Sequence, residues 1–185
     1  MKLKLLLVLL PAITFFSCEK RDSKTITVKD LYTIELSNSF EETKNLNEDA
    51  SLQYQDIGRQ LFVIVIDEPK DSVISVLTKN KLCNTYPTGL KGYSNLIIAG
   101  INPSLSIDSI PAFNETIING LTARQTSFEG KSGENKIFWY LTFLEGKNSF
   151  YQVMVSTIAE NHNILEKEMQ QITNSFAEKE SIKKQ

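Results

Sequence analysis

Few residues of this chain have side chains suited to covalent or acid–base chemistry. The sequence holds one histidine, His162, and two cysteines, Cys18 and Cys83. A cysteine beside a histidine can act as a nucleophile with its base. However, Cys83 lies near a turn-rich segment, where a structural cysteine is the simpler interpretation, and His162 stands between two asparagines, as a helix cap or exposed residue does. The sequence therefore predicts no catalytic residue.

The sequence gives little support for a metal site or a cofactor-binding loop. Zinc sites need three or four suitable ligands, and one histidine with one further cysteine cannot supply them. Gly130, Lys131 and Ser132 form a GKS string, but the longer glycine-rich frame of a phosphate-binding loop is absent. We therefore expect no metal and no cofactor.

The amino-terminal segment has the pattern of an export signal. Met1, Lys2 and Lys4 form a short positive region, and residues 5–16 are a twelve-residue apolar run that contains Pro11. A helix of that length is too short to cross about 30 Å of hydrocarbon. The segment is therefore interpreted as a signal peptide.

The end of this apolar run carries a possible lipidation site. The residues Phe15-Phe16-Ser17-Cys18 resemble the lipobox of bacterial lipoproteins, with Phe15 in place of the usual leucine. The resemblance implies cleavage before Cys18, a diacylglycerol on its sulfur and an acyl chain on its amine, which would hold the protein to a membrane of the bacterial cell envelope. The alternative is a plain secretory signal followed by a coincidental cysteine. With Cys18 lipidated, Cys83 would have no partner for a disulfide.

Composition and charge predict one globular domain and exclude a nucleic-acid partner. The chain is 41% apolar and 23% charged, which is ordinary for a globular protein. Without Lys2 and Lys4 the mature chain keeps 18 basic and 22 acidic residues, a net charge of −4, and no basic stripe is present. The predicted organisation is a signal peptide at 1–17, a lipidated cysteine and tether at 18–25, one domain at 26–177 and a polar tail at 178–185.

Three strands followed by two helices are predicted in the first half of the domain. Alternating apolar residues predict a first strand within 26–36, and the continuous apolar run in 60–67 predicts a central strand whose two faces are both covered. Three further elements are predicted here: a short strand at 50–55, a short helix at 71–79, and an amphipathic helix from 90 to 102.

The second half is predicted to form an antiparallel meander and a final helix. The meander comprises strands at 121–129, 135–145 and 149–158 with short hairpin connections. Asn163 and Glu166 predict a capped helix start, and a stripe of four apolar residues follows: Leu165, Met169, Ile172 and Phe176. We expect an α+β fold with a mainly antiparallel sheet of about six strands, sandwiched by helices.

Several short stretches resemble the PsbP-like family. They are Asn119 to Arg124 (NGLTAR) opening a strand, the Glu145-Gly146-Lys147 hairpin leading into Phe150-Tyr151-Gln152, and a helix ending Asn174-Ser175-Phe176. This family of α/β/α sandwiches includes a photosystem accessory protein, nuclear-transport factors and bacterial DcrB-like lipoproteins. The resemblance covers about residues 26–177 and implies a scaffold that binds or stabilises proteins. It supplies no site residue, because fold does not fix function.

Two serines match a modification pattern of exported bacterial proteins. Ser72 and Ser109 each follow an aspartate and precede an apolar residue, and both are interpreted as exposed loop positions open to O-glycosylation.

Two classes of function remain open from the sequence. The first is a lipid-anchored, non-enzymatic binding or accessory module, whose partner is a protein or another envelope component. The alternative is an envelope hydrolase or a protein that binds a small solute, and either of these would need a deep polar pocket.

Overall fold

The structure, a computed structural model, describes residues 22–101, 106–107 and 112–179. In these ranges it has eleven strands and three α-helices: β1 Ser23–Val28, β2 Tyr32–Ser37, β3 Glu41–Glu42, β4 Leu52–Asp56, β5 Leu61–Pro69, α1 Lys70–Lys79, α2 Leu90–Ile101, β6 Ser106–Ile107, β7 Asn114–Ile118, β8 Leu121–Ser132, β9 Asn135–Glu145, β10 Ser149–Ile158, α3 His162–Asn174 and β11 Ala177–Glu178.

Two antiparallel sheets form the frame. The main sheet has the order β3-β4-β5-β10-β9-β8-β6, and β7 pairs with β8 beside β6. The second sheet is smaller, with the order β1-β2-β11. The predicted hairpins between β8, β9 and β10 are confirmed.

Both faces of the main sheet are covered by other elements of the fold. One face packs against α3 and the small sheet, with Val63, Val153 and Met169 fully buried there. The other face packs against α1 and α2, around Leu141 and Tyr93. The predicted α+β fold with a mainly antiparallel sheet between helices is confirmed, and the small sheet is an addition that the sequence did not predict.

The first predicted strand is in fact a hairpin. β1 and β2 are separated by a turn in which Lys29 has a φ of 42°, and they pair from Ser23↔Ser37 to Val28↔Tyr32. The turn contains no glycine or proline, so a single long strand was the simpler interpretation of residues 26–36.

The end of the described chain also differs from the prediction. Ala177–Glu178 form β11 and pair with Thr33 and Tyr32. The Glu178 carboxylate accepts hydrogen bonds from the Lys147 backbone N–H at 2.9 Å and from the Tyr151 hydroxyl at 2.9 Å. Glu178 therefore belongs to the folded sheet, although the sequence placed it at the start of the polar tail.

The start of α3 is not capped as predicted. The helix begins at His162, and Asn161 before it makes no side-chain cap hydrogen bond. The imidazole of His162 instead stacks on the ring of Phe138, with 3.9 Å between centroids. The apolar stripe that follows is buried as the spacing indicated.

Candidate functional site

A groove runs between the outer strand of the small sheet and the edge of the main sheet formed by β3 and β4. It encloses about 540 Å³, and we call it the β1 groove. On one side it is lined by residues 26–29, which belong to β1 and the turn after it. On the opposite side it is lined by residues 42–44, 48 and 50–54.

The β1 groove has an apolar base and a charged rim. Ile26 and Val28 of β1 and Tyr54 of β4 are partly buried against the core that lies below them. Exposed side chains of both signs surround them: Lys29, Glu42, Lys44 and Glu48. Because the rim charges balance, the groove does not select a strongly charged partner.

Hydrogen bonds fix the wall of the groove opposite β1. The Gln53 side-chain oxygen accepts from the backbone N–H groups of Leu46 and Asn47 at 2.9 and 3.0 Å. Ser51 Oγ lies 2.8 Å from the Tyr32 hydroxyl and 3.2 Å from the Val65 carbonyl oxygen. Burial raises the pKa of Tyr32, so its hydroxyl stays protonated and can donate to Ser51. This wall is thus built before any partner arrives.

The backbone of β1 is available on the groove side. Among the residues that the structure describes, β1 pairs only with β2 and is the outer strand of its sheet. An outer strand presents unpaired N–H and C=O groups to which an extended segment of another chain can add. Over its six residues β1 is about 17 Å long, enough for a short strand.

A second groove lies at the other end of β1, beside α3. It encloses about 520 Å³ and is called here the α3 groove. Its lining comes from three places: Ser37 and Ser39 at and just after the end of β2, Gly58 and Arg59 in a single 3₁₀ turn, and Asn161, Ile164 and Leu165 at the start of α3.

Arg59 forms a network of ion pairs and hydrogen bonds in the α3 groove. Its Nε donates to Asp56 at 2.7 Å, its Nη1 to Glu168 at 2.7 Å, and its Nη2 to Ser39 Oγ at 2.9 Å. Burial alone would lower the pKa of Arg59, but the two carboxylates outweigh it and raise that pKa. The guanidinium is thus already engaged within the protein, which makes it a structural cation.

Of the sequence-predicted site residues, the structure describes only Ser72, which lines neither groove. Cys18 and Ser109 fall outside the described residues. Ser72 is exposed, but it sits in the first turn of α1 and not in a loop. Its O-glycosylation stays a prediction.

Cys83 and His162 are on opposite sides of the main sheet. Cys83 packs against the core beneath α1 and α2, with its Sγ 3.7 Å from Thr78 Oγ1. His162 stacks on Phe138, which belongs to the core beneath α3. The structure therefore does not bring this thiol and this imidazole together as a nucleophile and base. Within the described ranges, no group of three or more histidine, cysteine or acidic residues is arranged to hold a metal ion.

The sequence missed both grooves, because they arise from residues far apart in the chain. The nearest signal was the alternation of Ile26 and Val28 with threonines, which indicates a strand with one face inward. Nothing in that pattern shows which edge stays unpaired or that β4 lies opposite.

Comparison with known proteins identifies the fold. Neither a family model nor a curated protein matches the chain. Among solved structures, cyanobacterial PsbP (CyanoP) from Synechocystis sp. PCC 6803 aligns over 88% of this chain and 95% of its own, with a TM-score of 0.57 and 12% identity. The fold is PsbP-like. At this identity the likeness shows the fold alone.

Two other solved structures align with the PsbP-like domain. A chain from Bacteroides thetaiotaomicron VPI-5482 covers 87% of this chain with a TM-score of 0.54 and 6% identity, and the alignment spans 50% of that longer chain. LpqN of Mycobacterium tuberculosis, which is involved in cell envelope biogenesis, covers 80% of this chain and 83% of its own, with a TM-score of 0.44 and 9% identity. No helix in the described part of the PsbP-like domain is long and apolar enough to span a membrane.

Proposed function

We propose that this chain is a lipoprotein of the bacterial cell envelope, anchored by acyl chains on Cys18, whose PsbP-like domain is a non-enzymatic module that binds a protein partner. The observation that carries the binding role is the β1 groove, where an unpaired strand edge faces a prebuilt wall. The anchor is supported by the lipobox-like residues that end at Cys18.

The partner best suited to this groove is an extended peptide segment. Its backbone would pair with the free edge of β1, and its apolar side chains would contact Ile26, Val28 and Tyr54. Main-chain pairing supplies affinity in this mode of recognition, and alternate side chains supply specificity. The balanced rim charges favour a partner segment without a strong net charge.

Photo-crosslinking in living cells tests the binding role. A crosslinking amino acid replaces Thr27, which is exposed on β1 and lines the groove, or Thr122, which is exposed on β8, a strand that is paired on both sides and lines neither groove. We expect a protein adduct of defined mass from position 27 and none from position 122. The adduct should disappear in a chain that carries Tyr54→Ala. Equal adducts from both positions, or none from position 27, would contradict the proposal.

The anchor is tested separately. Cells grown with an alkyne analogue of palmitate should label the natural chain and not Cys18→Ala, and the intact mass should match cleavage before Cys18 with acyl chains added. An unlabelled chain of the size expected for a secreted protein would refute the anchor. The same mass spectrum shows whether hexose is present on Ser72 or Ser109.

A further inference from the structure

The described domain begins close to the proposed anchor. Four residue steps separate Cys18 from Asp22, a reach of at most roughly 14 Å. The carbonyl oxygen of Asp22 accepts a hydrogen bond from the Asn38 N–H at 3.0 Å, and Ser23 pairs with Ser37. The corner formed by residues 37–39 is therefore the part of the domain that the anchor keeps nearest to the membrane.

Across the α3 groove from this corner, two large apolar side chains are exposed to solvent. Ile57, in the turn beside Gly58 and Arg59, is 67% exposed, and Ile164, in the first turn of α3, is 81% exposed. The two segments are tied together, because Asn161 Nδ2 donates to the Arg59 carbonyl oxygen at 3.3 Å. Ile164 lines the α3 groove, and Ile57 directly precedes Gly58 and Arg59, which also line it.

Charge does not explain this surface. Arg59, the cation of the α3 groove, is held by Asp56, Glu168 and Ser39, so it is not free to bind a phosphate headgroup. The two exposed isoleucines instead give this surface apolar area, and apolar side chains partition into the boundary between headgroups and acyl chains of a bilayer.

We propose that the corner formed by residues 37–39, 57–59 and 161–165 rests on the membrane that holds the anchor, with Ile57 and Ile164 inserted between lipid headgroups. This inference rests on the proposed anchoring at Cys18. The contact fixes the orientation of the domain, and the β1 groove, which extends from Ile26 to Lys29 at the far end of β1, then opens away from the bilayer.

An environment-sensitive fluorophore at single positions tests this contact. In the full lipidated chain with Cys83→Ser, an azide-bearing amino acid at position 57, 164 or 117 is coupled to the dye, and the protein is placed in vesicles of phosphatidylcholine and phosphatidylglycerol. Ile117 is the matched control, because it is an isoleucine 74% exposed. Its strand leads into Asn119, which contacts Asn174 at the other end of α3.

We expect blue-shifted emission at positions 57 and 164, quenching there by spin-labelled lipids, and emission at 117 that stays as in water. Water-like emission at 57 and 164 would overturn the proposal. If the mass of the purified chain shows no lipid, the anchor fails; the free Cys18 thiol is then coupled to maleimide-bearing vesicles, and the same labels decide the contact independently.

Discussion

The Asp56 carboxylate binds Arg59, whose guanidinium in turn binds Glu168 of α3. Its Oδ1 accepts from the Arg59 backbone N–H at 3.1 Å and its Oδ2 from Arg59 Nε at 2.7 Å. Asp56→Asn keeps the shape but loses the charge in both bonds. We expect the free energy of unfolding to fall by about 1–3 kcal/mol, measured by urea denaturation, whereas the exposed Asp49→Asn should leave it nearly unchanged.

The same carboxylate should make stability depend on pH. Burial tends to raise the pKa of Asp56, but hydrogen bonds from Ser39 and Arg59 outweigh it and lower that pKa below its ordinary value. A carboxyl group with a depressed pKa in the folded state stabilises the fold above its unfolded pKa of about 4, and this stabilisation is lost as pH falls through the folded pKa. The loss of stability below pH ~4 should therefore be shallower in Asp56→Asn than in the natural chain. Equal slopes would show that Asp56 does not contribute.

Alanine substitutions at two glycines of α2 are predicted to change the stability of the protein in opposite directions. A Cβ on Gly92 would overlap the backbone carbonyl of Pro87, whereas a Cβ on Gly100 would meet nothing within 4 Å. Gly92→Ala should cost about 1–3 kcal/mol through strain, and Gly100→Ala should stabilise by about 0.5–1 kcal/mol because alanine favours helix. Thermal unfolding followed by circular dichroism measures both, and a loss of stability in Gly100→Ala would argue against this placement of α2.

α3 offers a similar contrast between its buried and exposed faces. Met169 is fully buried against the main sheet, whereas Ile164 is 81% exposed. Met169→Ala should lower the free energy of unfolding by about 2–5 kcal/mol, and Ile164→Ala should change it by less than ~0.5 kcal/mol. A large effect at Ile164 in the detergent-free domain would mean that this residue serves the fold and not a membrane contact.

The elements that the sequence predicted correctly are those with a strong periodic pattern. β8, β9 and β10 carry long alternating or apolar runs with glycine-containing connections, and α3 carries four apolar residues at helical spacing. The β1–β2 turn contains no glycine or proline, and Glu178 lies at the start of a polar stretch of the sequence. Both depend on tertiary partners, since β11 pairs with β2 and the Glu178 carboxylate binds Lys147 and Tyr151.

The whole domain depends on the segment that follows α3. The Phe176 ring is fully buried and stacks on Tyr32 with 4.9 Å between centroids. A chain that ends after Asn174 should therefore lose about 3–5 kcal/mol or fail to fold, whereas one that ends after Lys179 should match the full chain. Equal denaturation midpoints for the two truncated chains would show that β11 and Phe176 are dispensable.

At the scale of the whole molecule, the two grooves could not be predicted from the sequence. Each is assembled from three or more segments, and no motif links Ile26 with Tyr54 or Ser37 with Ile164. Their proximity follows from the packing of one sheet on another, which is a property of the entire fold. The chemistry available to a single side chain, by contrast, could be predicted from its residue type alone.

The position of β1 also determines how a mechanical load would travel through the protein. If a partner held in the β1 groove were pulled away from the membrane, tension from the anchor would enter at Ser23. Every β1 residue from Ser23 to Val28 is paired with β2, so tension along the strand would shear all of these pairs together, whereas tension across it would open them one at a time from Ser23. The hairpin that borders the groove is thus the element that would resist separation of partner and membrane.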